Sequence, residues 1–497
     1  MKIKNFSKAI FLKPRSYILI SLIVLILAFL CNSCSTNANK GTISGTVMLV
    51  NDTDNPSLNP VDYAGVTVAL YKTAELDTTL VRINQQYPQI GVQITQETEF
   101  DHRNFNPLKV VSTDAEGKFR FPSLTAGNYN LVLWKTDWGI RYICSVRAEE
   151  KENNNLGTIE LYPATSYNST IVSEPTIFKS DHSYFILTDV NFTSSVEFQP
   201  RTQIFINPGC MLKFYGAVTT PEFTSSRDMW KITSGKEIYS TSPVTMDFDS
   251  YFSAVNLYGE EINLRSGFVR YGSNALMTVN VSNNNFFYMV FRDCGTALTT
   301  NQGNFDAGYM TISDCNTIGI LYTTGEVAIY NVSITRIIFN NNAQKAVAIQ
   351  RAKMLNINNC YFNNNNNYAI NITRCNNNIE YNEFNLNYYN IYYIDNYYSN
   401  EIHYNNFYKS NIGIYSSGNI NNINNNNFYG SSTYFIYILY STSPYSLVTA
   451  DVNAINNYWA VQEVNQYLAD AEDDPRCPYH IIYLPNLSNP VKNAGIQ

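Results

Sequence analysis

A short motif recurs through the second half of this chain at a nearly constant step. No other feature limits the possible folds as much. The motif is an aliphatic residue, four positions, then a cysteine or an aromatic. It appears as Met289 and Cys294, Met310 and Cys315, Ile334 and Phe339, Ile357 and Phe362, Ile379 and Phe384, Ile402 and Phe407, and Ile423 and Phe428. Successive motifs lie 21, 24, 23, 22, 23 and 21 residues apart. A second ladder keeps the same step: Leu298, Ile320, Ile349, Ile370, Tyr392, Ile414 and Tyr437, with one step of 29 where extra residues can loop out.

A step of about 22 residues is too short for a helical hairpin of roughly 34 or a propeller blade of roughly 40. The leucine spacing of leucine-rich repeats is missing. Asparagine competes with helix hydrogen bonds, and 28 of the 100 residues from 351 to 450 are asparagine, so helices are disfavoured. What remains is a right-handed parallel β-helix of one coil per repeat, each stacked ~4.8 Å on the last. Equivalent residues then lie above one another. Asn382, Asn405 and Asn426 share one register, two positions before the aromatic. There they can satisfy one another and the backbone groups that a tight turn leaves unpaired. An unstructured asparagine-rich tract is excluded because the interspersed Ile, Phe and Tyr keep period.

Both ends of this segment carry a family resemblance. Residues 185–190 (Phe-Ile-Leu-Thr-Asp-Val) and 203–214, with Pro208 and Gly209 between two strands, resemble the opening coils of pectin-lyase-like β-helix proteins. Residues 455–459 (Ile-Asn-Asn-Tyr-Trp), the acidic stretch after Tyr467 and the tail 482–485 resemble that family's closing segment, with Ala460 where the pattern has Gly. The resemblance implies a β-helix over 163–497, closed by a C-terminal cap with a short helix at 461–471. It leaves the activity open, because one fold hosts many functions.

Residues 42–162 read differently. Alternating strands at 42–47, 64–70, 118–121 and 130–134 are separated by turn signals at 114–117 and 124–129, the pattern of a small β-sandwich. The pieces Ile-Ser-Gly-Thr-Val at 43–47, Thr-Asp-Ala-Glu-Gly-Lys-Phe at 113–119 and Leu-Thr-Ala-Gly-Asn-Tyr at 124–129 resemble the carboxypeptidase regulatory-like domain, which implies a non-catalytic spacer or binding module. A long insertion, 76–107, departs from that compact pattern. The expected class is therefore all-β, a sandwich followed by a solenoid.

The N-terminus reads as an address. Basic residues from Lys2 to Arg15 precede an apolar run of 14 residues, 17–30, which is short for a membrane span of ~20 and fits a signal-peptide core. With Ser33 before Cys34, residues 1–34 resemble a bacterial lipoprotein precursor, which implies cleavage and lipidation at Cys34. Residues 35–41 would be a tether, and the protein would sit lipid-anchored in the cell envelope, at the outer membrane. The net charge of −7 argues against nucleic acid as a partner, since phosphate binding needs a basic face. The seven cysteines beyond the leader form no CxxC pair, so zinc is not expected and small buried fillers are.

Chemistry has few places to sit. Glu380 and His403 fall one repeat apart in the same register, a candidate acid–base pair or an ordinary cross-strand contact. Asp293 and Asp314 stack likewise, as a candidate Ca2+ site or as carboxylates neutralised by Arg292 and Arg336. No other cofactor is expected. Asp470, Glu472, Asp473 and Asp474 read as a solvated cap. Tyr388, Tyr389, Tyr392, Tyr393, Tyr397 and Tyr398 crowd one coil, and Tyr389, Tyr393 and Tyr397 are taken as the ligand-binding residues. Aromatic side chains recur at recognition surfaces. Two functions stand: an envelope lipoprotein that binds carbohydrate or a protein partner without catalysis, or a polysaccharide lyase or glycosidase. A groove gathering three of Glu380, His403, Arg374, Lys409 and Asp395 would favour the enzyme, and a flat Tyr/Asn face the binder. The sparse charge on the coils favours the binder.

Overall fold

The computed structural model describes residues 40–51, 59–325, 328–394, 399–418, 420–439, 451–469 and 480–497. The leader with Cys34, the tether up to residue 39, Asp395, Tyr397, Tyr398, the acidic cluster at 470–474 and Cys477 lie outside the described residues.

Two small sheets form the N-terminal sandwich. In one, Lys40–Leu49 lies between antiparallel Lys118–Thr125 and parallel Asn153–Leu161. In the other the order is Lys109–Ser112, Thr67–Lys72, Gly127–Trp134, Ile140–Ala148. Alternate residues of Lys40–Leu49 are buried, so Ile43 and Val47 meet Val68, Leu70, Phe119, Phe121, Leu131 and Leu133 in one core. The turn expected at 114–117 closes on Gly117 at φ +77, where a Cβ would lie 2.0 Å from the Val47 carbonyl oxygen. Only glycine fits there.

From Thr165 the chain winds as a parallel β-helix with three strands per coil. Two 13-stranded parallel sheets, called here the first and second, run the length of the rod, and the third face carries a three-stranded sheet in the early coils and a 10-stranded sheet, called the third, from Glu261 onward. Thirteen stacked strands give a rod on the order of 60 Å long. The corners use left-handed backbone. Asn341, Asn359, Asn364 and Asn425 have φ of 57, 54, 49 and 56 there, a region asparagine tolerates better than most residues.

The interior is built of columns. Phe339, Phe362, Phe384, Phe407, Phe428 and Trp459 stack face to face at 4.9, 4.9, 4.9, 4.7 and 4.5 Å. Two positions before each aromatic runs a buried amide ladder. The side-chain amide of Asn382 donates to Asn405 Oδ1 at 3.0 Å, that of Asn405 to Asn426 at 3.0 Å, and that of Asn426 to Asn457 at 3.1 Å. Each Oδ1 also accepts a backbone N–H from the coil before it. Three positions after each aromatic runs a second ladder, Asn342 to Asn365 to Asn387, at 2.9 Å per rung.

These columns correct the register read from sequence at two places. Val269, Phe291, Ile312 and Phe339 share one row, and so do Phe286, Ala307 and Ile334. The upstream motif is therefore Phe286 with Phe291 and Ala307 with Ile312, three residues before Met289/Cys294 and Met310/Cys315. Met and Cys instead occupy the two amide-ladder columns, and the same five-residue spacing made the two settings indistinguishable by period. In the second ladder the inward row is Leu298, Ile320, Val347, Ile370, Ile391, Ile414 and Ile436. A slip of one residue turns a side chain to the other face, so Tyr392 and Tyr437 point outward. Ile349 remains inside, two positions along its strand. Cys294, Cys315, Cys360 and Cys375 are buried and free, as small fillers, whereas Cys144 and Cys210 are free but only partly buried.

The sandwich is strapped to the rod. The insertion leaves the sandwich at residue 73 and climbs the outer face of the first sheet. Its helix Thr78–Gln86 is capped by Asp77, which accepts from Thr79 and Leu80 at 2.8 and 3.1 Å. Leu80, Ile83, Ile90 and Ile94 pack on Ile338 and Tyr361 of the rod. Val92 exchanges two hydrogen bonds with Thr311 at 3.0 Å each. Near the base, Asp101, His102 and Arg103 are buried together. Arg103 grips Asp101 at 3.0 and 2.7 Å and reaches the rod carbonyls of Ser234 and Lys236 at 2.7 and 3.1 Å. The C-terminal tail covers the same face higher up, where Asn406 donates to Ala494 O at 3.2 Å. Beyond Trp459 the described cap holds a four-residue 3-10 turn, Val464–Tyr467, and the short strand Leu468–Ala469 in place of the expected longer helix.

Candidate binding face and the Glu380–His403 pair

The three sheets present different outer faces. The first is covered by the insertion and the tail. The third is polar, with outward rows such as Ser333, Asn356, Asn378, Glu401 and Asn422 in register. The second sheet carries outward aromatics in its last coils. There Asn371, Tyr392, Tyr415 and Tyr437 form one row, and Tyr368, Tyr389, Ile412 and Tyr434 the next.

The ring geometry decides what this face can offer. Tyr392 and Tyr415 lie 4.5 Å apart at 3° and Tyr415 and Tyr437 5.4 Å apart at 8°, so their faces are spent on one another. Tyr389 meets Tyr392 and Tyr388 edge-on, 5.2 and 4.9 Å away. Outward, the row presents ring edges and phenol hydroxyls, one per coil. Tyr388 is 49% exposed at the rim, and the Lys345 ammonium stands 5.7 Å from the Tyr368 ring centre. Burial, neighbouring phenols and a hydrogen bond to Tyr392 push the Tyr415 hydroxyl above its ordinary pKa. Of the three tyrosines read as ligand-binding, Tyr389 belongs to this face. Tyr393 does not. It is fully buried and its hydroxyl donates to Asn377 Oδ1 at 2.8 Å, because the strand alternates and Tyr392 takes the outward position. Tyr397 lies outside the described residues. Tyr415, Tyr434 and Tyr437 were missed, although each lies 22 or 23 residues along from an outward residue of the preceding coil.

Glu380 and His403 are directly opposed on the third sheet, with His403 Nε2 at 2.9 Å from Glu380 Oε2, both side chains about a quarter exposed. Tyr381 and Tyr404 stack beside them at 5.2 Å. Lys409 lies at the corner between the first and second sheets and Arg374 at that between the second and third, while Asp395 lies outside the described residues. Asp293 and Asp314 are held by arginine. Arg270 reaches Asp293 at 2.6 Å and Arg292 reaches Asp314 at 3.6 Å. Arg292 also pairs with the buried Glu99 of the insertion. Arg336 turns away to stack 5.4 Å over Tyr309. Burial raises the Asp314 pKa, and Arg292 pulls against it. Among the described residues no group of three or more His, Cys, Asp or Glu could hold a metal ion.

Residues 295–457 match the model of the family described as a right-handed β-helix region. No curated protein matches the chain. Among solved structures, GBS52, the minor pilin of the Gram-positive pathogen Streptococcus agalactiae, is 18% identical over 26% of this chain and 48% of its own, with a TM-score of 0.16, too low to carry any structural argument. The β-helix fold is compatible with carbohydrate binding, protein binding and pectin-lyase-like catalysis alike.

Proposed function

We propose that this chain is a cell-envelope lipoprotein, acylated at Cys34 and anchored at the outer membrane, that binds a polysaccharide along the tyrosine face of its β-helix. One observation carries the reading. Tyr392, Tyr415 and Tyr437 repeat the same outward phenol once per coil. A polymer lying along the rod meets an equivalent phenol at each coil step of ~4.8 Å, and a repeating ligand is what such an array suits. The carboxypeptidase regulatory-like sandwich acts as the membrane-proximal spacer, since its strand Lys40–Leu49 follows the tether. Two acyl chains bury many methylenes at ~0.8 kcal/mol each, enough for stable anchoring.

The test is a glycan array on the mature chain, with Tyr392→Ala/Tyr415→Ala beside wild type. A polysaccharide that binds wild type and loses at least about tenfold in the double variant supports the reading. Binding unchanged in the variant, or capture of a protein partner alone, overturns it. Incorporation of labelled palmitate that disappears in Cys34→Ser checks the anchor.

A second reading is favoured by the Glu380–His403 hydrogen bond. In a polysaccharide lyase or glycosidase, His403 held by Glu380 would move the proton. Each bound polysaccharide is therefore assayed for unsaturated products and new reducing ends. Product that vanishes in Glu380→Gln/His403→Ala makes the protein an enzyme.

A further inference from the structure

Where the sandwich meets the rod, a cleft of about 490 Å3 opens between the sandwich strand Ile140–Ala148 and the rod strands Gln203–Ile206 and Trp230–Ser234. Sites that enclose small molecules measure roughly 300–1,000 Å3. Four basic side chains and three carboxylates line it, and Asp228 pairs with one of the four from just outside. Two of the basic groups are committed. Arg141 pairs with Asp181, and Arg201 bridges Asp181 and Asp228 at 2.8 and 2.9 Å.

Lys231 and Arg227 are not committed in this way. The half-buried Lys231 ammonium makes one hydrogen bond among the described residues, to the Glu97 carbonyl at 2.8 Å, with the Phe268 ring centre 5.7 Å away. An ammonium carries three donors, so two remain for what enters the cleft. Arg227 is exposed at the mouth and has no ion pair among the described residues. Glu97, whose backbone carbonyl takes the Lys231 bond, also lines the cleft with its carboxylate. Gln203 spends its amide nitrogen on Ile140 O at 3.2 Å and keeps its oxygen. The partly buried Ile143 and Leu156 supply an apolar wall.

We propose that this junction cleft is a second binding site, for an acidic sugar that bears an apolar substituent. Its carboxylate docks on Lys231 and Arg227, its hydroxyls donate to Glu97 and Gln203, and its apolar group lies against Ile143 and Leu156. The site belongs to the first sheet near the start of the rod. It stands independently of the tyrosine face, on the second sheet near the end.

Calorimetric titration of the mature chain with N-acetylneuraminate, its neutral relative N-acetylmannosamine and inorganic phosphate tests this. Saturable one-site binding of the acidic sugar is expected, with the neutral sugar and phosphate at least about tenfold weaker. Lys231→Met is expected to weaken binding about tenfold or more and Arg227→Gln to weaken it measurably, while Tyr392→Ala/Tyr415→Ala leaves it unchanged. Arg227 is exposed, so its variant decides the matter should Lys231→Met fail to fold by circular dichroism. No saturable binding of the acidic sugar, equal binding of the neutral sugar or phosphate, or binding by folded variants equal to wild type overturns the proposal.

Discussion

Replacing Asn405 by alanine removes one rung from the buried amide ladder and leaves the coils on either side intact. Its Oδ1 accepts the backbone N–H and the side-chain amide of Asn382, each at 3.0 Å. Its amide nitrogen donates to the carbonyls of Ile379 and His403 at 2.8 and 3.0 Å and to Asn426 Oδ1 at 3.0 Å. The Asn382 side chain keeps a second acceptor, the Ile357 carbonyl at 2.9 Å, and Asn426 keeps the Asn405 backbone N–H at 2.9 Å. The Asn382 backbone N–H loses its side-chain acceptor in a fully buried site. A stranded buried donor costs about 1–3 kcal/mol, and the two carbonyls left short raise the total to about 3–5 kcal/mol. Asn405→Asp should cost at least as much, because it turns a carboxylate oxygen toward those two carbonyls. The control is Asn411→Ala, whose Oδ1 accepts only exposed hydroxyls of Ser432 and Thr433 at 2.9 and 2.7 Å and should cost under about 1 kcal/mol. Urea unfolding followed by circular dichroism reads all three. If Asn405→Ala loses no more stability than Asn411→Ala, the ladder is not what holds the coils in register.

Two further outcomes follow from buried charge. Burial under the insertion and tail pushes the Glu383 carboxyl up to about 7, against hydrogen bonds from Asn406, Tyr87 and the Ile496 backbone that favour ionisation. The folded chain then holds this proton to higher pH than the unfolded chain, so the stabilisation is complete below the ordinary carboxylate pKa and is lost as pH rises through about 7. Glu383→Gln should match wild type near pH 4 and exceed it by roughly 3 kcal/mol above pH 8, read from unfolding midpoints at each pH; equal curves at both would refute the shift. At the strap, burial opposes charge on Asp101 and the Arg103 fork overrides it, holding the carboxyl below its usual range. Arg103→Met strands that carboxylate and should cost about 3–5 kcal/mol and expose residues 73–107 to protease, while Asp101→Leu/Arg103→Met should recover most of the loss. A double variant no better than the single would show that the pair is not coupled.

The coil architecture was legible because stacking forces like residues into columns, and a column is a period in sequence. The downstream rows from Ile334 onward, the three asparagines of the first ladder and the Glu380–His403 opposition could all be read from step length alone. The upstream register could not. Met289 with Cys294 repeats the spacing of Phe286 with Phe291, and period carries no phase. Tyr393 was misplaced for a related reason, since in a run of tyrosines only the strand's parity tells inside from outside. The strap was illegible because the partners of Leu80, Val92 and Arg103 lie more than 130 residues away on a surface that only the finished rod creates. The same holds for the junction cleft, whose lining comes from the sandwich, the insertion and the rod.

The amide rows also give the rod an electrical direction. In the buried ladders each side-chain N–H points toward the C-terminal coils, from Asn382 to Asn405 to Asn426. Outside, on the first sheet, the sense reverses. Asn385 donates to Asn363 and Asn363 to Asn340, and separately Asn427 donates to Asn406. Aligned amide dipoles add as they do in a helix, gathering positive potential where the N–H groups point. Both outward rows terminate on an acidic side chain. Asn340 donates to Asp77 at 3.2 Å, and Asn406 to Glu383 at 2.8 Å. One acid comes from the insertion and the other from the rod, yet each meets the positive end of its row as an acidic residue meets a helix N-terminus. The inner and outer dipoles run antiparallel, so their fields largely cancel at a distance and act mainly on the groups that close each row.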